Sequence, residues 1–286
     1  MKRLIFAMVI FTCILAASVA AQAPDYSQLD PKPYDPAVEP DPDLFMASWK
    51  ESMPRHTHGS LIERDVLTPC TGDPLKPSTR GAVLTNLKRF SHGTLPAGAV
   101  TQPNTLEDEQ LIFYFYSGKG VMTAGGVSAD LYDGVAVLMP PNIEYTFKCA
   151  DDAPLLMYIL TEGIPDGFIP KKQMVVRDEN VIPFTSSNVH WSHCYKGIMR
   201  KEDGLATLRG LGPVWFNPMT MGQPHSHGEG VEEIWFSLKG DITILLGKQI
   251  RKFPPGMAYK IPPNGKTPHS TINVTDEVVK VFWFMN

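Results

Sequence analysis

Between residues 222 and 273 lie three histidines and a pair of glutamates whose types and spacing suit a bound cation. His225 and His227 stand two apart, the spacing that turns both side chains to one face of an extended chain, so they can share an ion. Glu232 and Glu233 follow, directly before the apolar run Ile234 to Lys239 and Gly240. His269 comes just after the turn-forming stretch Pro263 to Pro268 and supplies a third imidazole. Three neutral imidazoles and one carboxylate make a mixed nitrogen and oxygen set, suited to Fe(II) or Mn(II) and also accommodating Zn or Ni. Such a set leaves coordination positions open to substrate or water. No side chain is singled out by type or spacing as a general acid or base.

The elements that must position these residues read as strands. Leu111 to Tyr116, Val135 to Met139, Leu155 to Leu160, Ile234 to Leu238, Ile242 to Leu246 and Val278 to Phe284 are rich in β-branched and aromatic residues and are punctuated by Gly, Pro and Asn. No long stretch sustains a helical period. The chain also repeats itself: Gly118 and Gly240, Gly134 and Gly256, and Pro140 and Pro262 are each 122 residues apart, as are Pro141 and Pro263, and Asn142 and Asn264. Shared turn residues at one offset point to two copies of one unit.

On these residues the chain resembles the cupin superfamily. That family's first motif reads H-x-H, a short gap, E, six residues, G; its second reads P-x-G, a short gap, H, three residues, N. His225, His227, Glu233, Gly240, Pro263, Gly265, His269 and Asn273 match them. Two gaps are longer than usual, with five residues between His227 and Glu233 and three between Gly265 and His269, and both fall where loops tolerate insertion. The resemblance favours Glu233 as the carboxylate ligand, seven residues before Gly240, with Glu232 as the competing choice. It implies an all-β fold of two jelly-roll barrels in one chain, a bicupin, with metal bound in the C-terminal barrel. It also implies an oxidoreductase such as a dioxygenase or an oxalate decarboxylase. Alternatives are a redox-neutral isomerase, lyase or hydrolase on a sugar acid or ureide, and a non-catalytic binding or storage protein.

The first copy has no matching ligands. Subtracting the offset from the four positions gives Pro103, Thr105, Leu111 and Phe147, with Asn104, Glu109, Gln110 and Tyr145 as near neighbours. His56, His58 and Glu63 repeat the H-x-H and E spacing without the glycine or the second motif, and His190, His193 and Cys194 form a cluster without a fourth ligand. His92 reads as a loop residue before Gly93. Trp215, Trp235, Trp283, Phe282 and Phe284 are candidates to line the second barrel. Asn273, Val274 and Thr275 form a glycosylation sequon, meaningful only in a eukaryotic secretory pathway.

Residues 1–23 read as a signal peptide: Lys2 and Arg3, an apolar run from Leu4 to Ala17, then small residues around Ala21 and Ala23. The expected location is secreted or periplasmic, with no membrane association after cleavage. Residues 24–43 form a Pro and Asp rich tether, 44–165 the N-terminal barrel with its leading arm, and 166–286 the metal-binding barrel. Cys70, Cys149 and Cys194 can form at most one disulfide. The 286 residues suffice for two cores, and a formal charge of -4 gives no basic footprint for nucleic acid. The expected partner is a small-molecule substrate, and barrel edges leave a homodimer open to the chain.

Overall fold

The computed structural model describes residues 39–185 and 193–286, which fall within one unit, Asp35–Asn286. The expected signal peptide, most of the expected tether and His190 lie outside the described residues. All six apolar runs form strands: five belong to the large sheets, whose two faces are both buried, and Ile242–Leu246 belongs to a small sheet with one face turned to the core. Among the described residues no helix is long and apolar enough to cross a membrane.

Four sheets, antiparallel except where Ala82–Leu84 runs parallel to Leu61–Pro69, build two jelly-roll barrels, each a large sheet closed against a small one. In the first barrel, Val135–Met139, Glu109–Ser117, Leu155–Gly163 and Leu87–Leu95 lie side by side. Tyr145–Cys149, Gly120–Ala124 and Val127–Leu131 face them. The second barrel repeats the order with Met257–Lys260, Glu233–Lys239, Val279–Met285 and Gly210–Phe216, and the small sheet carries His269–Asn273, Ile242–Leu246 and Gln249–Phe253. The shared glycines have a reason. Gly118 and Gly240 both turn with positive φ, 83° and 88°, and a Cβ on Gly240 would fall 2.5 Å from Val279.

The two large sheets share one hydrophobic cluster. Phe90 meets Phe236 at 4.9 Å and Phe284 at 5.1 Å between ring centroids, and Tyr114 meets Phe282 at 4.4 Å. Period-2 alternation sorts the side chains: Ile112 and Tyr114 face this layer, while Phe113 and Phe115 fill the first barrel. Phe282 and Phe284 therefore face the neighbouring barrel, a correction to their assignment as lining residues.

Two buried carboxylates cross the same junction. Glu232 accepts from Thr85 N and Oγ1 at 2.5 and 2.7 Å, from Leu87 N at 3.2 Å and from Lys260 Nζ at 3.0 Å. Glu162 accepts from Ala206 N, Thr207 N and Oγ1, and Leu208 N, all within 3.1 Å. Thr85 and Thr207 are repeat equivalents. So each barrel sends a carboxylate into the same turn of the other. The partners trade places as well. Gln110 donates to Glu162 in the first copy, whereas Asn286 accepts from the Glu232 backbone in the second.

Edge strands are exchanged too. Met46–Ser48, which precedes the first copy, pairs with Met257–Lys260 of the second; Val175–Asp178, which precedes the second, pairs with Val135–Met139 of the first. Two strands thus cross the division expected at residue 165. The end of the tether is docked, with Asp43 on Arg251 at 2.7 Å and Glu39 on Lys248 at 2.5 Å. His92 lies within the strand Leu87–Leu95 rather than in a loop; it is buried, stacked on Trp49 at 4.2 Å and hydrogen-bonded to the Tyr116 hydroxyl at 2.6 Å. Gly93 beside it serves close packing against Met157, not a turn. The three cysteines are free.

Lys260 and Glu232 are both fully buried, so removing one leaves the other's charge uncompensated. Glu232→Ala is expected to cost about 3–5 kcal/mol in denaturant unfolding, and Glu232→Leu combined with Lys260→Met less than the sum of the single changes. Burial pushes His92 down to about 4 from its ordinary 6.5. The unfolded chain takes up this proton first, so stability is undiminished above pH 6.5 and falls as the pH is lowered toward 4. The loss approaches about 3 kcal/mol at full protonation. Unfolding of His92→Gln measured across that window should lack this segment of pH dependence.

Candidate metal centre

The second barrel brings His225, His227, Glu233 and His269 together. One potential ligand atom from each lies within 4.8 Å of all the others, and among the described residues no other group of three or more His, Cys, Asp or Glu is so arranged. Metal to nitrogen bonds of about 2.0–2.1 Å place neighbouring ligand atoms about 3–4 Å apart, so the group needs only slight adjustment around an ion. Ring centroids are 4.9 Å apart for His225 and His227, 4.4 Å for His225 and His269, and 5.1 Å for His227 and His269.

Each side chain is set by its element. His269 opens the strand His269–Asn273 and is buried. His225 and His227 do not sit on a regular strand; their segment is extended and tied by backbone bridges between His225 and His269 and between Glu229 and Asn264. The His225 ring lies with Nδ1 2.9 Å from the Gln223 carbonyl, which can only accept, so Nδ1 carries the proton and Nε2 the lone pair. Asn273, the last residue of the second motif, is buried and donates to the Phe216, Asn217 and Glu277 carbonyls, which brace the strand end and close the sequon to modification in the folded protein.

Glu232 and Glu233 occupy opposite faces of the same strand. Glu232 faces the first barrel, and Glu233 turns inward to the three histidines, which resolves the choice between them by geometry. Glu233 Oε1 accepts from the Trp283 indole N–H, while Oε2 contacts His227 Nε2 directly and His269 Nε2 at 3.3 Å. Burial is the largest single influence on Glu233 and raises its carboxyl. The His227 hydrogen bond, the two imidazole charges and the Trp283 N–H together outweigh it and hold the group below its ordinary value. The same hydrogen bond raises His227. This is the chemistry expected of a fitting donor set: lone-pair atoms converge and share a proton that a divalent cation would displace.

The other histidine readings separate. His56 is exposed, Glu63 pairs with Arg55 at 2.6 Å and accepts from Ser91, and His58 joins Asn104 and Tyr145, so that triplet does not form a site. Of the His190, His193 and Cys194 cluster, His190 lies outside the described residues; His193 lines the pocket beside His227 and Glu233. Trp235 and Trp283 line the same pocket, but Trp215 packs outside it against Phe184. In the first copy other side chains stand at the equivalent places. Asn104 and Tyr145 are bridged as His225 and His269 are, and Leu111 stands where Glu233 would. The Trp283 contact had no signal in the motif, since it joins residues 50 apart that meet only through strand pairing.

Glu233→Gln is expected to lose stoichiometric metal, and Trp283→Phe to weaken metal affinity about 10–100-fold by freeing the ligand carboxylate. Glu232→Gln, which loosens the strand end from which Glu233 projects, should lower stability and weaken metal affinity less than Glu233→Gln does. Competition with a chelating dye reads all three.

Residues 214–285 match the family model described as Cupin domain. No curated protein sequence matches the chain. Among solved structures, a putative glyoxylate-induced protein from Pseudomonas aeruginosa is 12% identical, with 81% of this chain and 83% of that one covered and a TM-score of 0.65. An oxalate decarboxylase from Lactobacillus farciminis in complex with formate is 13% identical, with 84% and 85% covered and a TM-score of 0.63. Hazelnut vicilin from Corylus avellana is 11% identical, with 85% of each chain covered and a TM-score of 0.64. With residues 214–285 matching a cupin domain and the same architecture present twice, the chain is a two-barrel protein of the cupin fold.

Proposed function

We propose that the protein is a secreted, metal-dependent enzyme acting on a small oxygenated organic compound, and that it is an oxidoreductase of the dioxygenase or oxalate decarboxylase kind. The observation that carries this reading is the donor set itself: three imidazoles and a buried carboxylate converge at the edge of a cavity lined by His227 and Glu233. A purely structural ion would be enclosed by its ligands, whereas this group faces a space that a substrate can enter. When bound, a divalent ion such as Fe(II) or Mn(II) would supply Lewis acidity and one-electron chemistry toward dioxygen. The chain's own residues do the rest. His225, His227, Glu233 and His269 would hold the ion, Trp283 fixes one oxygen of Glu233, and the apolar walls exclude water.

The intact donor set weighs against the storage reading that likeness to vicilin would allow, since a storage role makes no use of it. Secretion rests on the charged and apolar pattern of residues 1–23. Protein purified without chelator should carry about one equivalent of Fe or Mn, absent after His225→Ala with His269→Ala, and should consume dioxygen with one member of a panel of small acids and phenols. Turnover without oxygen uptake would move the enzyme to the redox-neutral isomerases, lyases or hydrolases, unless the products are formate and CO2 from oxalate, a cleavage that consumes no dioxygen. Metal without any turnover would leave a binding protein.

A further inference from the structure

The cavity beside the donor set has walls of a definite kind. It measures about 190 Å³. A cavity of about 150 Å³ holds one benzene ring, so this one has room for a single ring bearing one or two substituents. Away from the metal ligands it is walled by Val214, Trp235, Trp283 and Met285, with the Tyr195 and His193 rings completing it. The indoles of Trp235 and Trp283 meet at 6.4 Å between centroids, tilted by 54°. That spacing is too narrow for a ring to slide between them, but it forms a corner in which a flat ring meets a face of one and an edge of the other, the arrangement aromatic pairs prefer. His193 is held as a wall by an edge contact with Phe216 at 5.2 Å.

Trp235 is only 5% exposed, so what it offers the cavity is apolar ring surface that a bound ring can cover. Oxalate fits these walls poorly. It has no apolar surface, and four oxygens set against Val214, Met285 and the indole faces would lose water without gaining donors.

We propose that this site takes a single-ring aromatic acid or phenol, its ring in the Trp235–Trp283 corner and its oxygens toward the donor set, in preference to a small dicarboxylate. This rests on the reading of His225, His227, Glu233 and His269 as a metal site and names the substrate class for it. The full chain loaded with Zn(II), which is redox-silent, is titrated with salicylate and with oxalate by calorimetry, while tryptophan fluorescence is recorded. Salicylate is expected to bind at least about tenfold more tightly than oxalate and to quench the tryptophans. Trp235→Leu, which removes one aromatic wall of the corner, should weaken salicylate about tenfold and leave both oxalate binding and zinc content unchanged. Val214→Phe, which fills the cavity instead of emptying it, should abolish salicylate binding with zinc retained. Oxalate binding as tightly as salicylate, or salicylate indifferent to both substitutions, overturns the proposal. Zinc content measured on the same samples tests the metal reading separately. Should zinc be absent, phenol titrated into the metal-free protein decides the matter: quenching that Val214→Phe removes supports ring recognition, and no quenching refutes it.

Discussion

The buried carboxylate of Glu232 is the constraint on which the site depends. It and Glu233 are neighbours at the start of one strand, and the strand's two-residue period sends them in opposite directions. Glu232 is gripped by the Thr85–Leu87 turn of the other barrel and by Lys260, so the end of the strand cannot rotate or slip. A slip of one residue would exchange the two faces, placing the inter-barrel anchor in the pocket and the ligand carboxylate in the hydrophobic junction. The contact that joins the barrels is therefore also what aims Glu233 at the histidines, and Trp283 finishes the job from the adjacent strand.

The two copies show how little backbone change separates a donor set from a packed barrel mouth. The same antiparallel bridge joins Asn104 to Tyr145 in one and His225 to His269 in the other. Around Tyr145 the first barrel is closed by His58 and Asn104 through hydrogen bonds of 2.7 and 3.0 Å, and Leu111 adds apolar surface at the position of the missing carboxylate. The scaffold repeats, while the candidate donor set stands at the mouth of one barrel only.

Much of this was legible in the sequence. Strand identity followed from β-branched and aromatic runs, the doubled architecture from glycines and prolines at one offset, and the donor residues from two short motifs. What was not legible has a common physical character. The burial of His92, the roles of Glu232 and Glu162, and the Trp283 bond to Glu233 all come from contacts between strands distant in sequence, and no local pattern encodes them. His225 and His227 were expected on a strand; the segment is extended but tied only at intervals, because prolines and glycines around it interrupt regular pairing. The strand exchange was hidden for a different reason. Met46–Ser48 and Val175–Asp178 are too short to announce which sheet they will join.

That exchange makes each half incomplete without the other. A strand that precedes copy one completes copy two, and a strand that precedes copy two completes copy one. Neither large sheet gains its edge partner until both have formed, so the two barrels are bound to fold and unfold as one cooperative unit. A cut between them would leave each half with a bare sheet edge, the surface along which chains aggregate.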